Sequence, residues 1–393
     1  MYYNLIMIKR AIESKCIELA KQYPVITITG PRQSGKTTLA RKLFPDKPYI
    51  NFEDPDNRSR AKDDPRGLLK DLPDGAIFDE IQRVPEIPSY LQGIVDEKKK
   101  KGMFILTGSQ QFEVSQTISQ SLAGRTALLK LLPLSYHEIS EAGKSGGAGL
   151  EEFLLKGFYP QLYKEKIDTL SYYMNYYETY IERDLRQLSQ VENLHTFDKF
   201  IRMLASRIGQ IVNYNSIAND VGVSQPTIRK WLSLLEASYI AFVLPPYFAN
   251  IGKRLIKTPK IYFYDTGLVS YLLGIENPRA LRHHYLRGAL FENFVVSEFL
   301  KSRFNKGMSS NLLFFRDRTG NEADLVVENA LSVDLVEIKS AETYNESLSK
   351  GINKVKDMIR KKTRKAYVVY AGEKELSIKG IDYLPWRKIP TEL

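Results

Sequence analysis

The chain has 393 residues, room for roughly two to four domains, and its 43% hydrophobic content gives each of them a core. One cysteine, Cys16, excludes an internal disulfide, four histidines leave no zinc cluster, and neither a signal peptide nor an apolar run near the ~20 residues of a membrane span is visible, so a cytoplasmic protein without a membrane partner is expected. A net charge of +11 fits a polyanionic partner, although the basic excess is spread along the chain and not gathered in a tail.

Apolar positions at Ile8, Ala11, Ile12, Cys16, Ile17 and Leu19 follow a helical period, predicting a helix ahead of a first strand, Val25–Thr29. That strand runs into Gly30, Pro31, Arg32, Gln33, Ser34, Gly35, Lys36, Thr37 and Thr38. The spacing G-x-x-x-x-G-K-[ST] is that of a P-loop, or Walker A motif, whose curled backbone N–H groups and helix N-terminus suit the polyphosphate of ATP. Lys36 is placed to reach the β- and γ-phosphates, Thr37 to hold Mg²⁺, and Thr38 to add a phosphate contact.

Residues 49–53 read as the next strand, stopped by Asp54-Pro55. A short apolar strand then ends in Asp79 and Glu80. A strand running into a polar turn gives the same letters, but a P-loop ~40 residues upstream favours Asp79 as the Mg²⁺ partner and Glu80 as the group that orients or deprotonates the attacking water. A further strand within 101–110 carries Thr107, Ser109 and Gln110 at its end, where ligand chemistry collects in a parallel sheet, so Ser109 is a candidate γ-phosphate sensor. Arg125, just before a strand over 126–132, is either a cation for the γ-phosphate, of its own or a neighbouring subunit, or a surface arginine.

The order GPRQSGKTTLA, AIFDEIQRVP, FILTGSQQF, LAGR, LLPLSYHEI and YIERD resembles prokaryotic AAA-superfamily ATPases that join a P-loop core to a C-terminal domain of unknown function with nuclease-like signatures. The resemblance spans nearly the whole chain. It implies an α/β, multidomain protein with an AAA-like parallel sheet and ATP binding.

A glycine-rich stretch over 141–149 exits this core. Tyr172, Tyr173, Tyr176, Tyr177 and Tyr180 then lie on one broad helix face, expected to pack rather than to stack bases, and Arg183 follows as a surface residue or a reach to nucleotide. From 196 the pattern becomes a helix-turn-helix: Ala218, Gly222, Ile228 and Trp231 set the crossing and anchors, Ser224 caps the second helix and Pro226 fits its first turn. Strands over 239–244 and 260–264 would complete a winged helix, leaving Gln225, Thr227, Arg229 and Lys230 for DNA; such modules also bind protein partners or a second copy of the chain.

The last segment reads as a helix over 286–304, strands over 312–316, 323–328 and 333–339, a helix over 347–359 and a strand over 366–370. Glu337 and Lys339 share a sheet face, so Asp324 and Glu337 can converge on a divalent metal, with Lys339 positioning a water and Glu292 completing the set. A charged hairpin edge gives the same pattern. The arrangement resembles the PD-(D/E)XK nuclease core, without its Pro, since Glu322-Ala323 precedes Asp324; the resemblance implies a nuclease-like α/β domain in which DNA cleavage is uncertain. Basic residues over 360–365 are a phosphate contact or a solvated helix end. The expected organisation is thus a P-loop ATPase core over 1–140, a helical linker over 141–195, a winged helix over 196–275 and the nuclease-like domain over 276–393.

Overall fold

The computed structural model describes residues 7–109, 121–185, 194–247, 258–359 and 363–389, with the side chains of 182–185 and 194 left aside. Five strands, β1 (Val25–Thr29), β2 (Tyr49–Asn51), β3 (Ile77–Asp79), β4 (Phe104–Gly108) and β5 (Thr126–Lys130), form a parallel sheet in the order β2-β3-β4-β1-β5. Strand periodicity divides its side chains between two cores. Ile26, Ile28, Ile77 and Ile105 pack beneath the helices Glu13–Ala20 and Lys36–Leu43, whereas Val25, Phe78, Phe104 and Leu106 meet the helix Ile87–Lys98. On the latter face the rings of Phe52, Phe78 and Phe104 stack at 5.4 and 5.8 Å. Because β4 lies between β1 and β3, its C-terminal end separates the P-loop from Asp79 and Glu80.

The middle of the chain is helical. Asp168 caps the helix Thr169–Tyr176, which widens into a π-helix over Tyr177–Leu185, and the five tyrosines of this face are all buried. They form the packing face expected of them. Helices Leu194–Ala205, Tyr214–Val221 and Gln225–Ala237 follow; Gly222 ends the second at φ +88°, and the Ser224 hydroxyl accepts the Thr227 N–H at 3.3 Å. Strands β6 (Ala241–Leu244) and β7 (Lys260–Phe263) pair antiparallel after them.

The C-terminal part is a six-stranded mixed sheet, built from β8 (Leu312–Arg316), β9 (Glu322–Glu328), β10 (Val333–Lys339), β11 (Thr363–Tyr370), β12 (Leu376–Ile378) and β13 (Ile381–Pro385), in the order β12-β13-β11-β10-β9-β8. Residues 376–385 show no clear alternation, and these last two strands are absent from the sequence reading. One face packs on the helix Lys350–Met358 through Leu335, Ile352 and Val355. The other meets the helix Arg287–Asn305, and Val336 and Ile338 join a core that extends through the helical middle to Trp386. No helix among the described residues is long and apolar enough to cross a membrane.

Candidate functional site

The P-loop begins at Gly30, whose φ of +152° brings its backbone against β5; a Cβ there would stand 2.1 Å from the Leu131 carbonyl oxygen. Gly30→Ala is therefore expected to destabilise the protein by about 2–3 kcal/mol, read as a lower thermal midpoint, and an unchanged midpoint would show that this contact relaxes freely. Gly35 adopts the left-handed conformation at φ +93° and starts the helix Lys36–Leu43. Arg10, absent from any motif, is buried beneath the turn: its NH1 donates to the Ser34 carbonyl at 2.8 Å, NH2 to the Leu132 carbonyl at 2.7 Å and Nε to Glu138 Oε1 at 3.0 Å. A trans peptide opposes its C=O and N–H. Drawing the Ser34 carbonyl toward Arg10 thus turns the Gly35 N–H the opposite way, as an anion site requires.

Lys36 is 5% exposed and its Nζ donates to the Gly30 and Pro31 carbonyls at 3.0 and 2.7 Å. Burial pushes its pKa down to about 8, against the pull of Glu80 and Asp79. Ser34 Oγ is buried without a partner. Arg32, Gln33, Thr37 and Thr38 line one cavity of about 590 Å³ together with Lys36 and Glu80. That size suits a small-molecule ligand.

Asp79 collects three hydroxyls at the end of β3. Thr37 Oγ1 donates to its Oδ2 at 2.9 Å, Tyr49 OH donates to the same oxygen at 2.7 Å, and Thr107 Oγ1 donates to Oδ1. Glu80 is left-handed at φ +57°, a conformation uncommon for a non-glycine residue, and its Oε2 accepts Ser109 Oγ at 3.1 Å and Gln82 Nε2. Gln82 also donates to Ser109 Oγ at 3.2 Å. Ser109, Asp79 and Glu80 thus stand together beside Lys36 and Thr37. A magnesium ion fits this donor set, with the Thr37 hydroxyl and the Asp79 carboxylate as the groups to hold it.

Arg125 is not brought to this place. It precedes β5, whose first residue Thr126 aligns with Val25 at the start of β1, so it lies at the sheet end opposite the P-loop. There its Nε and NH2 donate to the two oxygens of Asp96 at 2.6 and 2.8 Å. A role at its own chain's γ-phosphate is corrected by this geometry. Gln110 and the side chain of Arg183 lie outside the described residues.

Sequence reasoning also missed the loop's link to the tyrosine helix: Tyr172 OH donates to Gln33 Oε1 at 2.6 Å, and the Arg32 guanidinium lies 5.2 Å from the Tyr180 ring centre. Gln33 itself has φ +61°. Motif position alone gives no sign of such long-range bonds.

In the C-terminal part, Lys339 Nζ lies 2.7 Å from Glu337 Oε1, while the other Glu337 oxygen is buried without a partner. Burial and the charge of Asp324 push the Glu337 carboxyl up to about 7, with Lys339 opposing them. Asp324 Oδ2 accepts the Ile338 N–H at 2.8 Å. Glu292 is committed elsewhere: its Oε1 accepts Tyr262 OH at 2.5 Å and Lys260 Nζ at 3.0 Å. Lys260 also pairs with Glu322 at 2.6 Å. Asp324 acts electrostatically on both Glu337 and Glu292, so the three carboxylates share one neighbourhood, although among the described residues no group of three or more Asp, Glu, His or Cys side chains is placed to hold a metal. Lys339 is the residue expected to position a water here, whereas Lys260, absent from that expectation, sets a further ammonium against Glu292 and Glu322.

The chain matches the AAA domain family over 22–140 and two families described as domains of unknown function, DUF8612 over 147–279 and DUF4143 over 287–389. An uncharacterised protein of Mycobacterium tuberculosis and one of Mycobacterium bovis are each 32% identical over 355 residues, covering 89% of this chain and 77% of theirs. Among solved structures, a Walker-type ATPase of Pyrococcus abyssi aligns at TM-score 0.43 and 15% identity, covering 68% of this chain and 96% of that one.

Proposed function

The chain belongs to the family of its mycobacterial relatives and is an AAA-superfamily P-loop ATPase in fold, and from that premise we propose that it hydrolyses ATP with Mg²⁺ and uses the nucleotide state to control engagement of DNA. The observation that carries the reading is that Lys36, Thr37 and Glu80 line one cavity, with Asp79 hydrogen bonded to Thr37 and Ser109 to Glu80 just behind its wall. Lys36 leaves the loop carbonyls to meet the phosphates, the turned amides bind the rest of the polyphosphate, and Glu80 accepts a proton from, or orients, the attacking water. Ser109 and Gln82 fix the direction of the Glu80 carboxylate. Magnesium, when bound, supplies charge neutralisation at the phosphate oxygens. The Gln33–Tyr172 hydrogen bond joins the loop to the helical middle, so a change of loop conformation on nucleotide binding is felt by that helix.

DNA is favoured as the macromolecular ligand by the net charge of +11 and by Lys230, exposed on the second helix of the helix-turn-helix pair. Against it, Arg229 lies 3.9 Å over the Tyr214 ring and the Thr227 hydroxyl is hydrogen bonded to Ser224, commitments that support a second reading in which this module binds a protein partner. Duplex DNA is expected to raise the ATPase rate at low salt, with Lys230→Glu weakening the stimulation while the DNA-free rate stays unchanged. Failure of the wild-type protein to retain duplex DNA at low salt selects the protein-partner reading. Lys260, paired with Glu292 and Glu322, argues against strand cleavage.

A further inference from the structure

We propose that Lys260 is the built-in cation of the carboxylate cluster between the helical module and the mixed sheet, and that its ammonium group closes this cluster to divalent metal. Lys260 is 3% exposed, and its Nζ stands 3.0 Å from Glu292 Oε1 and 2.6 Å from Glu322 Oε1. Tyr262, two residues on and therefore on the same strand face, adds its hydroxyl to Glu292. An ammonium brings three N–H donors that match carboxylate oxygens directly, with no water shell to accommodate. A divalent ion entering here would meet a positive charge in a buried site, where screening is weak. A second ammonium, from Lys339, occupies Glu337, and Arg316 NH1 lies 3.3 Å from the other Glu322 oxygen.

The lysine is not carried on a free arm. Leu244 of β6 pairs with it on one side and Ile211 bridges to it on the other, with Val212 N donating to the Pro259 carbonyl at 2.9 Å and Ile261 N to the Gln210 carbonyl at 3.1 Å. The Phe314 ring lies 5.5 Å from Nζ. That phenylalanine belongs to β8, and its backbone is bonded to the helical module in both directions, Tyr247 N to the Phe314 carbonyl at 2.7 Å and Phe314 N to the Pro245 carbonyl at 3.0 Å. Strands from two modules therefore hold Lys260 against the acidic side chains. Residues that a nuclease-like fold would offer to metal instead make a polar joint, and this holds whether or not the P-loop hydrolyses ATP.

The test is Mn²⁺ binding to the full-length, nucleotide-free protein, followed by electron paramagnetic resonance. The wild-type protein is expected to show no bound Mn²⁺ that Asp324→Asn removes. Lys260→Met, which keeps the length of the side chain and loses its charge, is expected to gain a site at least ~10-fold tighter than any in the wild type, and Asp324→Asn in that background should abolish it. Wild-type binding that Asp324→Asn abolishes overturns the proposal, as does a folded Lys260→Met protein that binds no Mn²⁺. Should Lys260→Met not fold, Lys260→Met/Glu322→Gln, which removes one partner charge as well, carries the same two outcomes.

Discussion

Glu80→Gln is expected to bind ATP with near wild-type affinity and to hydrolyse it about 10²–10³-fold more slowly. The substitution keeps the size and shape of the side chain and takes away its charge and one acceptor. Glu80 holds φ +57° at the end of β3, directly after Asp79, and two neighbours aim its carboxylate: Ser109 Oγ, at 3.1 Å, and Gln82 Nε2. A left-handed glutamate costs roughly 1 kcal/mol or more against an extended or helical one. That cost is offset by the surrounding fold and is of use when it points a base at a reacting water. In the proposed site phosphate contacts run through Lys36 and the loop amides. The substitution leaves these contacts and the Lys36 bonds to the Gly30 and Pro31 carbonyls in place, removing only the Glu80 charge that helps keep Lys36 protonated. Equilibrium binding of a fluorescent ATP analogue should consequently stay level while single-turnover hydrolysis collapses. A variant that turns ATP over at the wild-type rate removes Glu80 from the chemistry, and one that loses binding instead shows that its charge was needed to hold the empty loop.

The P-loop and its parallel sheet were legible because their signals are local: a fixed glycine spacing, apolar runs of strand length, and acidic residues at a strand end. The tyrosine face and the Ser224 cap were legible for the same reason. What escaped depends on contacts far apart in sequence. Arg10 reaches Ser34, Leu132 and Glu138, and Tyr49 reaches Asp79, with no period or spacing to mark either. Arg125 is a different kind of miss. A residue that opens a strand parallel to β1 must sit at the end of the sheet away from the P-loop, so strand direction already argued against a role at its own chain's nucleotide. Lys260 stands in the sequence at the start of a wing strand, and a lysine on the same face as Tyr262 in an otherwise apolar strand is the sign of a buried partner. The letters D…ExK resemble a metal site until Lys260 arrives from a strand more than sixty residues upstream of Asp324.

A loss of similar size is expected from Lys36→Ala, about 10²–10³-fold in kcat/KM for ATP, with a pH signature that separates it from general damage to the loop. In the nucleotide-free protein the ammonium is buried against the Gly30 and Pro31 carbonyls, and burial brings its pKa to about 8 although Glu80 and Asp79 draw it upward. A bound triphosphate places negative charge beside the same nitrogen and raises its pKa. The bound state then holds more protons than the free state above pH 8. Binding must take up a proton in that range, so affinity is complete below pH 8 and falls by up to about ten-fold per pH unit above it, until the pKa of the bound state is reached. Calorimetry in two buffers of different ionisation enthalpy reads the proton uptake directly. Wild type should show uptake that grows above pH 8, whereas Lys36→Ala should show none from this group and a correspondingly flatter affinity profile. An affinity that declines equally in both proteins would place the titrating group elsewhere, and full affinity in Lys36→Ala would mean that the loop amides turned by Arg10 hold the polyphosphate without it.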